Sequence, residues 1–291
     1  MHAKTSQYYT GRVNLRHVVQ RRQLRSHHAD AHYVSALYKY MREMAIENRD
    51  SSVFVSADDK AKVDFGEPGA AISSGVRGKK SIVPTTSTLA ALDHDLNSKG
   101  SITPSVMLMV DLPDSIDQSF YCGQVDVFLK DSVFSASNSF RTVLELSKAL
   151  EANGITPGDK KILFLMTDGG PEHNVTFHSV KIPLILLFQK FLPDLLVAIR
   201  TAPNQSYVNI VERIMSLLNI AWQNVALERP GCPADDVIKT CRSMEELRKK
   251  ADEVQQDWEA SLEPIITTLR ERAERMKLKD KPFKVSVWTD L

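Results

Sequence analysis

Cysteine is scarce in this chain. Its three residues, Cys122, Cys232 and Cys241, give no disulfide framework, and Cys232 and Cys241 stand too far apart for a CxxC zinc pair. Reduced thiols inside a cell are the expectation. An apolar signal core is also missing at the N-terminus. The most hydrophobic run, Ile182–Ile199, is interrupted by Gln189, Lys190, Pro193 and Asp194, so it reads as a buried helix followed by a strand and not as a membrane span. Net charge is nearly absent too: a formal +1 over 291 residues names no partner. Neither zinc-finger spacing nor a helix-turn-helix pattern stands out. What is present is the composition of a soluble globular protein, 43% hydrophobic and 25% charged. Its expected place is the nucleus or the cytoplasm, with no membrane partner.

Charge is unevenly distributed. Residues 1–50 hold nine lysines and arginines against four acids. From His32 the spacing of Tyr33, Leu37, Tyr40, Met41 and Met44 predicts a helix. This segment reads either as a phosphate-contacting arm or as a solvated helix with a frayed end. Ser52–Ala57 is a β-prone run ending in Asp58-Asp59-Lys60, and Ala61–Phe65 suggests the return strand of a hairpin. Residues 66–105 are rich in glycine, serine, proline and threonine. They include Arg77-Gly78-Lys79-Lys80 and read as a long surface excursion.

Strands are predicted near Val106–Asp111 and Gln124–Leu129, and an amphipathic helix over Ser135–Asn153. The central stretch is Lys161–Asn174, KILFLMTDGGPEHN. Its apolar run has the length of a buried strand. Thr167-Asp168 ends the run, and Gly169-Gly170-Pro171 forces a turn. Asp168 thus either caps a following helix or presents chemistry at a strand's carboxyl end. A largely buried helix over Val175–Leu192, a strand over Asp194–Arg200 and an apolar helix over Val208–Leu227 complete an α/β domain with a mixed sheet. Behind a linker at 229–241, Ser243 and Glu246 form a capping box. The helix that follows carries Leu247, Val254, Trp258, Leu262, Ile265, Leu269, Ala273 and Met276 on one face, and Pro264 should kink or split it. The expected division is a basic helical arm at 1–50, a core at 51–228 and a charged helical tail at 229–291.

Three carboxylates therefore stand at element ends: Asp58 (or Asp59), Asp168 and Glu212. Brought together, they would repel one another strongly without a cation. Thr167–Asn174, TDGGPEHN, resembles the second-aspartate motif of DDE transposases and retroviral-type integrases. Asn209-Ile210-Val211-Glu212 resembles the N-P-x-E box of mariner-like transposases, with Ile210 where proline is usual. VFVSADD, Val53–Asp59, resembles the family's first-aspartate strand. The resemblance covers roughly Ser51 to Leu227.

It implies an RNase H-like core with a five-stranded mixed sheet flanked by helices. Asp58, Asp168 and Glu212 would be catalytic metal ligands for two Mg2+ (or Mn2+) ions, with Asp59 as the alternate first ligand. His173 would support a ligand or a phosphate. Arg213, Lys60, Arg77, Lys79 and Lys80 are candidates for DNA-backbone contact. The implied activity is DNA strand cleavage and strand transfer on double-stranded DNA, by a homodimer if active. A domesticated, fragmentary or inactive copy is a weaker form of the same reading. The alternative class is a von Willebrand factor A-like metal-dependent binding module. LFLMTDGG also resembles that fold's late strand, and Asp111-Leu112-Pro113-Asp114-Ser115 lacks the first serine of its D-x-S-x-S motif. The first reading needs Asp58, Asp168 and Glu212 near one another. The second needs Asp111 beside Asp168.

Overall fold

The structure, a computed structural model, describes residues 28–73, 99–203 and 205–287. The N-terminal basic cluster and Arg77, Lys79 and Lys80 lie outside them. Helix α1 (Ala31–Glu47) leads into strand β1 (Ser52–Asp59). Two short strands, β2 (Val63–Asp64) and β3 (Ile72–Ser73), precede the long β4 (Ser101–Val110) and β5 (Gly123–Asp131). Then come α2 (Ser139–Ala152), β6 (Ile162–Thr167), α3 (His178–Phe191), β7 (Leu195–Arg200), α4 (Val211–Trp222) and β8 (Ala226–Leu227). The C-terminal part holds α5 (Asp235–Thr240), α6 (Met244–Lys249), α7 (Ala251–Glu274), β9 (Lys277–Leu278), β10 (Lys281–Pro282) and β11 (Lys284–Val287).

The main sheet runs β11-β5-β4-β1-β6-β7, with β2 paired to the side of β4. β1 is antiparallel to β4 and β4 to β5, whereas β6 is parallel to β1 and β7 to β6. Five of these strands, β5-β4-β1-β6-β7, reproduce the order and sense of the RNase H-like fold. The expected five-stranded sheet is thus extended: β11 adds a strand parallel to β5, and β2 adds a short one. The expected hairpin of β1 with Ala61–Phe65 is not formed. Val63 pairs with Ile102, because β4 already occupies the side of β1 that β2 would need.

Alternation on the sheet builds two cores. On one face Phe54, Val106, Leu108, Phe164 and Met166 pack with α1, α4 and α7. On the other, Val53, Val55, Leu163 and Leu165 pack with α2 and α3. β1 and β6 are buried on both sides, which explains their near-continuous apolar runs.

Several helices differ in detail from their expected faces. In α1 the buried set is Ala31, Tyr38, Met41 and Ala45, while Tyr33 and Tyr40 are exposed. α3 begins at His178 and is not largely buried: Ile182, Ile185, Leu186 and Phe188 are exposed. The expected helix over Val208–Leu227 is shorter, because a 3-10 turn precedes α4 and β8 follows it. Pro264 neither splits nor ends α7, which runs unbroken for 24 residues. The α7 face that the period predicts, Val254 through Ala273, is buried against the domain. The capping box forms with an altered return: Ser243 accepts from Glu246 N, and the Glu246 carboxylate accepts from Arg242 N.

Arg229 fastens the C-terminal part to the core. It is fully buried, ion-paired to Glu67 at 2.6 Å and Asp235 at 2.7 Å, and its guanidinium lies 5.2 Å from the Trp258 ring centre. Removing one partner of such a set leaves buried charge uncompensated. Arg229→Ala is therefore expected to cost about 3–5 kcal/mol, read as a lowered midpoint in urea unfolding.

Candidate metal centre at the carboxyl end of the sheet

The parallel register of β1 and β6 sets Ser52 opposite Ile162 and Ser56 opposite Met166. Continued two residues, it brings Asp58 opposite Asp168. Side chains alternate across a sheet. Phe54, Ser56 and Asp58 share one face of β1, and Phe164, Met166 and Asp168 share the same face of β6. The two carboxylates therefore meet. Together with the His173 ring they form a cluster whose ligating atoms all lie within 4.8 Å of one another.

Asp59 points to the opposite face. It accepts from Lys130 Nζ at 2.8 and 3.0 Å and from Ser137 Oγ at 2.5 Å. Lys130 is fully buried and also faces the buried Glu145 at 3.6 Å. Asp59 is thus neutralised within its own layer, and the alternate for the first ligand falls away from the cluster. Lys130 gave no sign in the sequence, where it is one lysine at the end of an ordinary strand.

Asp168 does not cap a helix. Its Oδ1 accepts from Gly170 N at 2.8 Å and faces His173 Nδ1 at 3.1 Å. α3 starts ten residues on without a side-chain cap. The TDGGP turn bends the chain so that His173, itself buried, reaches back to the aspartate. Gly169 has a φ of +83°, and a Cβ there would meet the Arg200 side chain at 2.9 Å. Both its backbone and that close approach favour glycine. Thr201 Oγ1 donates to the Asp168 carbonyl at 2.7 Å and ties the turn to the end of β7.

Glu212 lies in the first turn of α4. It is not a member of the Asp58–Asp168–His173 cluster, but its charge is felt at Asp58. Asn209, fully buried, aims this helix. Ser56 Oγ hydrogen-bonds to Asn209 Oδ1, Asn209 Nδ2 donates to the Ala57 carbonyl at 3.1 Å, and Val211 N donates to Ser56 Oγ at 3.3 Å. The start of α4 is thereby latched to β1 just before Asp58. Ser56 is a contributor that the sequence did not single out.

The electrostatics are those of crowded acids. Burial, then the charges of Asp168 and Glu212, push the Asp58 carboxyl up to about 8. At Asp168 burial also pushes upward, but hydrogen bonds from His173 and Gly170 N outweigh it and hold the group below its usual range. Among the described residues no lysine or arginine pairs with Asp58, Asp168 or Glu212. Two carboxylates and an imidazole converging without a basic side chain are a donor set suited to a hard divalent cation.

The other candidates lie nearby or apart. Arg213 places its guanidinium 4.6 Å from the Tyr121 ring centre. Lys60 is half-buried, and burial pushes its ammonium below the usual range. Asp111 follows β4, which is antiparallel to β1, so it sits at the other end of the sheet. There it ion-pairs with Lys281 at 2.7 Å. The Asp111–Asp168 juxtaposition that the binding-module alternative needs is not formed.

No protein-family model matches the sequence, and no curated protein matches it. Among solved structures, the Mos1 transposase paired-end complex with the left transposon end is similar over 86% of this chain, at 12% identity and a TM-score of 0.40. The Mos1 mariner paired-end complexes with Mg and with Mn give 14% and 13% identity, over 89% and 85% of this chain, with TM-scores of 0.36 and 0.35. The chain spans 66% of the length of each of these three. At these values the superpositions add nothing to what the strand order and the acid cluster say by themselves. Among the described residues no helix is long and apolar enough to cross a membrane.

The raised Asp58 carboxyl carries a stability consequence. The folded state retains a proton that the unfolded chain, near its ordinary 3.8, has released. This group's contribution to stability is therefore full below about pH 4 and is lost as pH rises toward 8. In metal-free protein at pH 8, Asp58→Asn is expected to stabilise the fold by about 1–3 kcal/mol. Where Mg2+ or Mn2+ raises the melting temperature of the wild type, the same variant should lose that rise. Thermal denaturation with EDTA or with metal reads both.

Proposed function

We propose that this chain is a DDE-type transposase-like nucleotidyltransferase that cleaves and transfers strands of double-stranded DNA. Asp58 and Asp168 would hold the metal together with Glu212, and a pair of Mg2+ or Mn2+ ions suits that set. When bound, such ions stabilise the charge that builds on the attacking and leaving oxygens of an in-line phosphodiester displacement. The observation that carries the reading is the meeting of Asp58 and Asp168. They come from positions 110 apart, on adjacent parallel strands, in a site that raises one carboxyl to about 8 with no lysine or arginine paired to it among the described residues.

Each group has a task in this scheme. Asp168 stays ionised because His173 and Gly170 N hold its Oδ1, which also fixes the direction of its carboxylate. Asp58 gives up its proton when a cation replaces the repulsion of its neighbours. Glu212 enters with α4, whose position depends on the Ser56–Asn209 latch. Asn209 and His173 are thus positioning residues. Arg213, Lys60, Arg77, Lys79 and Lys80 are assigned to the DNA backbone, where cations add affinity independent of sequence. Residues 51–228 would carry the chemistry, residues 1–50 a basic arm and residues 229–291 the tail, with the nucleus as the working compartment.

Nicking of supercoiled plasmid in Mg2+ or Mn2+ tests the assignment. Asp168→Asn, checked for unchanged circular dichroism, should lower the rate by about 100-fold or more, because several kcal/mol of charge stabilisation are removed. Undiminished nicking by that variant would remove the assignment. A wild type that binds Mn2+ but never nicks would identify the inactive copy.

A further inference from the structure

A cavity of about 20 Å3 lies between the main sheet and helices α2 and α3, on the side of the sheet away from Asp58 and Asp168. β6 contributes Leu165 and Thr167, whose side chains alternate away from Met166 and Asp168. α2 adds Ser139 and Thr142, α3 adds Val180, and His173 reaches the cavity from the TDGGP turn.

Two buried polar atoms on its lining residues have no hydrogen-bond partner. They are Thr167 Oγ1 and His173 Nε2, on residues 3% and 5% exposed. The other ring nitrogen of His173, Nδ1, faces Asp168 Oδ1 at 3.1 Å. His173 thus spans two layers, touching an acid of the metal centre on one side and lining the cavity on the other. Thr167 continues the inward row of Leu163 and Leu165, where an apolar side chain would be buried without penalty. An unpaired hydroxyl in that row costs stability, and buried polar groups are as a rule satisfied. The neighbouring hydroxyls have already spent their hydrogens: Ser139 Oγ donates to the Ser179 carbonyl at 2.6 Å and Thr142 Oγ1 to the Asn138 carbonyl at 3.1 Å. They can only accept.

We propose that one buried water occupies this cavity and bridges His173 Nε2 to Thr167 Oγ1. A single water needs about 10–15 Å3 and two to four polar partners. The cavity has that room, and it offers the two unpaired atoms together with the acceptor oxygens of Ser139 and Thr142. A bridge through water holds a group nearly as well as a direct hydrogen bond. Thr167 is then a positioning residue: its hydroxyl holds the water, the water holds the ring, and the ring holds the Asp168 carboxylate. Partners one bond removed from a metal ligand fix its direction in this way. The water site rests on the cavity alone. Its consequence for metal rests on the functional reading above.

Nitrogen NMR of the full chain with labelled histidine, free of metal, tests the bridge, and H173Q identifies the His173 signals by their loss. T167V keeps the side-chain shape and removes the hydroxyl. It should move the Nε2 signal without raising the melting temperature, and T167S should restore the signal. Titration with Mn2+ is the second readout: T167V should raise the dissociation constant about tenfold, and T167S should stay within about twofold of the wild type. In the H173Q background T167V should have no further effect. A T167V that melts higher and leaves Nε2 unmoved would overturn the proposal, because the hydroxyl was then merely unpaired. So would a shift of Nε2 by E172Q and not by T167V, since Glu172 also lines the cavity and its carboxylate would then hold the ring. A moved Nε2 with unchanged Mn2+ affinity would overturn the positioning role. A wild type with the expected Nε2 response that neither binds Mn2+ nor nicks DNA would remove the functional reading and leave the water site standing.

Discussion

The pairing of β1 with β6 is the constraint on which everything else rests. A run of five Cα partners, Ser52–Ser56 against Ile162–Met166, fixes the offset. A slip of one residue would turn every side chain of one strand to the other core. With β1 slipped, Phe54 would leave the α4–α7 layer and part from the Phe164 ring that it packs against at 6.2 Å, and Asp58 would turn to the Lys130 face in place of Asp168. The apolar packing of both cores therefore sets the register, and the register places the acids. Hydrophobic burial thus supplies the free energy that holds two like charges near each other.

The region around that pair is built to separate the two adjacent acids of β1. Asp58 is left unpaired with any basic side chain among the described residues, whereas Asp59, one residue on, is held by a buried lysine and a serine. Alternation alone assigns them to opposite layers. The same layering gives α4 its job, since Asn209 reaches the β1 backbone at Ala57 from the Asp58 side. The TDGGP turn adds His173 from the far end of β6. Site and scaffold are consequently hard to separate: Ser56, Asn209 and Thr201 are structural residues whose bonds end at the segments that carry Asp58, Asp168 and Glu212.

Much of this was legible in the sequence. The apolar runs of β1 and β6 and the stop at Asp168 mark strands whose carboxyl ends carry acids, and the period of α7 names its buried face correctly. Other features were hidden because they depend on neighbours distant in the chain. β2 pairs with β4 and not with β1. β11, a four-residue strand at the end of a charged tail, joins the sheet beside β5. Pro264 sits on the exposed side of α7, where its missing N–H is tolerated and the core face continues past it. The apolar surplus of α3 suggested burial, yet half of it faces outward next to an open strand edge.

The order of the residues alone determined which acids end strands, where glycine must turn the chain after Asp168, and that the strand leading to Asp168 is buried. These follow from local rules: side-chain period, turn chemistry and the spacing of apolar groups. Only the tertiary structure decided that Asp58 and not Asp59 meets Asp168, that His173 folds back onto that carboxylate, and that Asn209 couples α4 to β1. Each of these depends on strand register and layer, which are set by packing between segments more than a hundred residues apart or by a turn whose direction no period encodes.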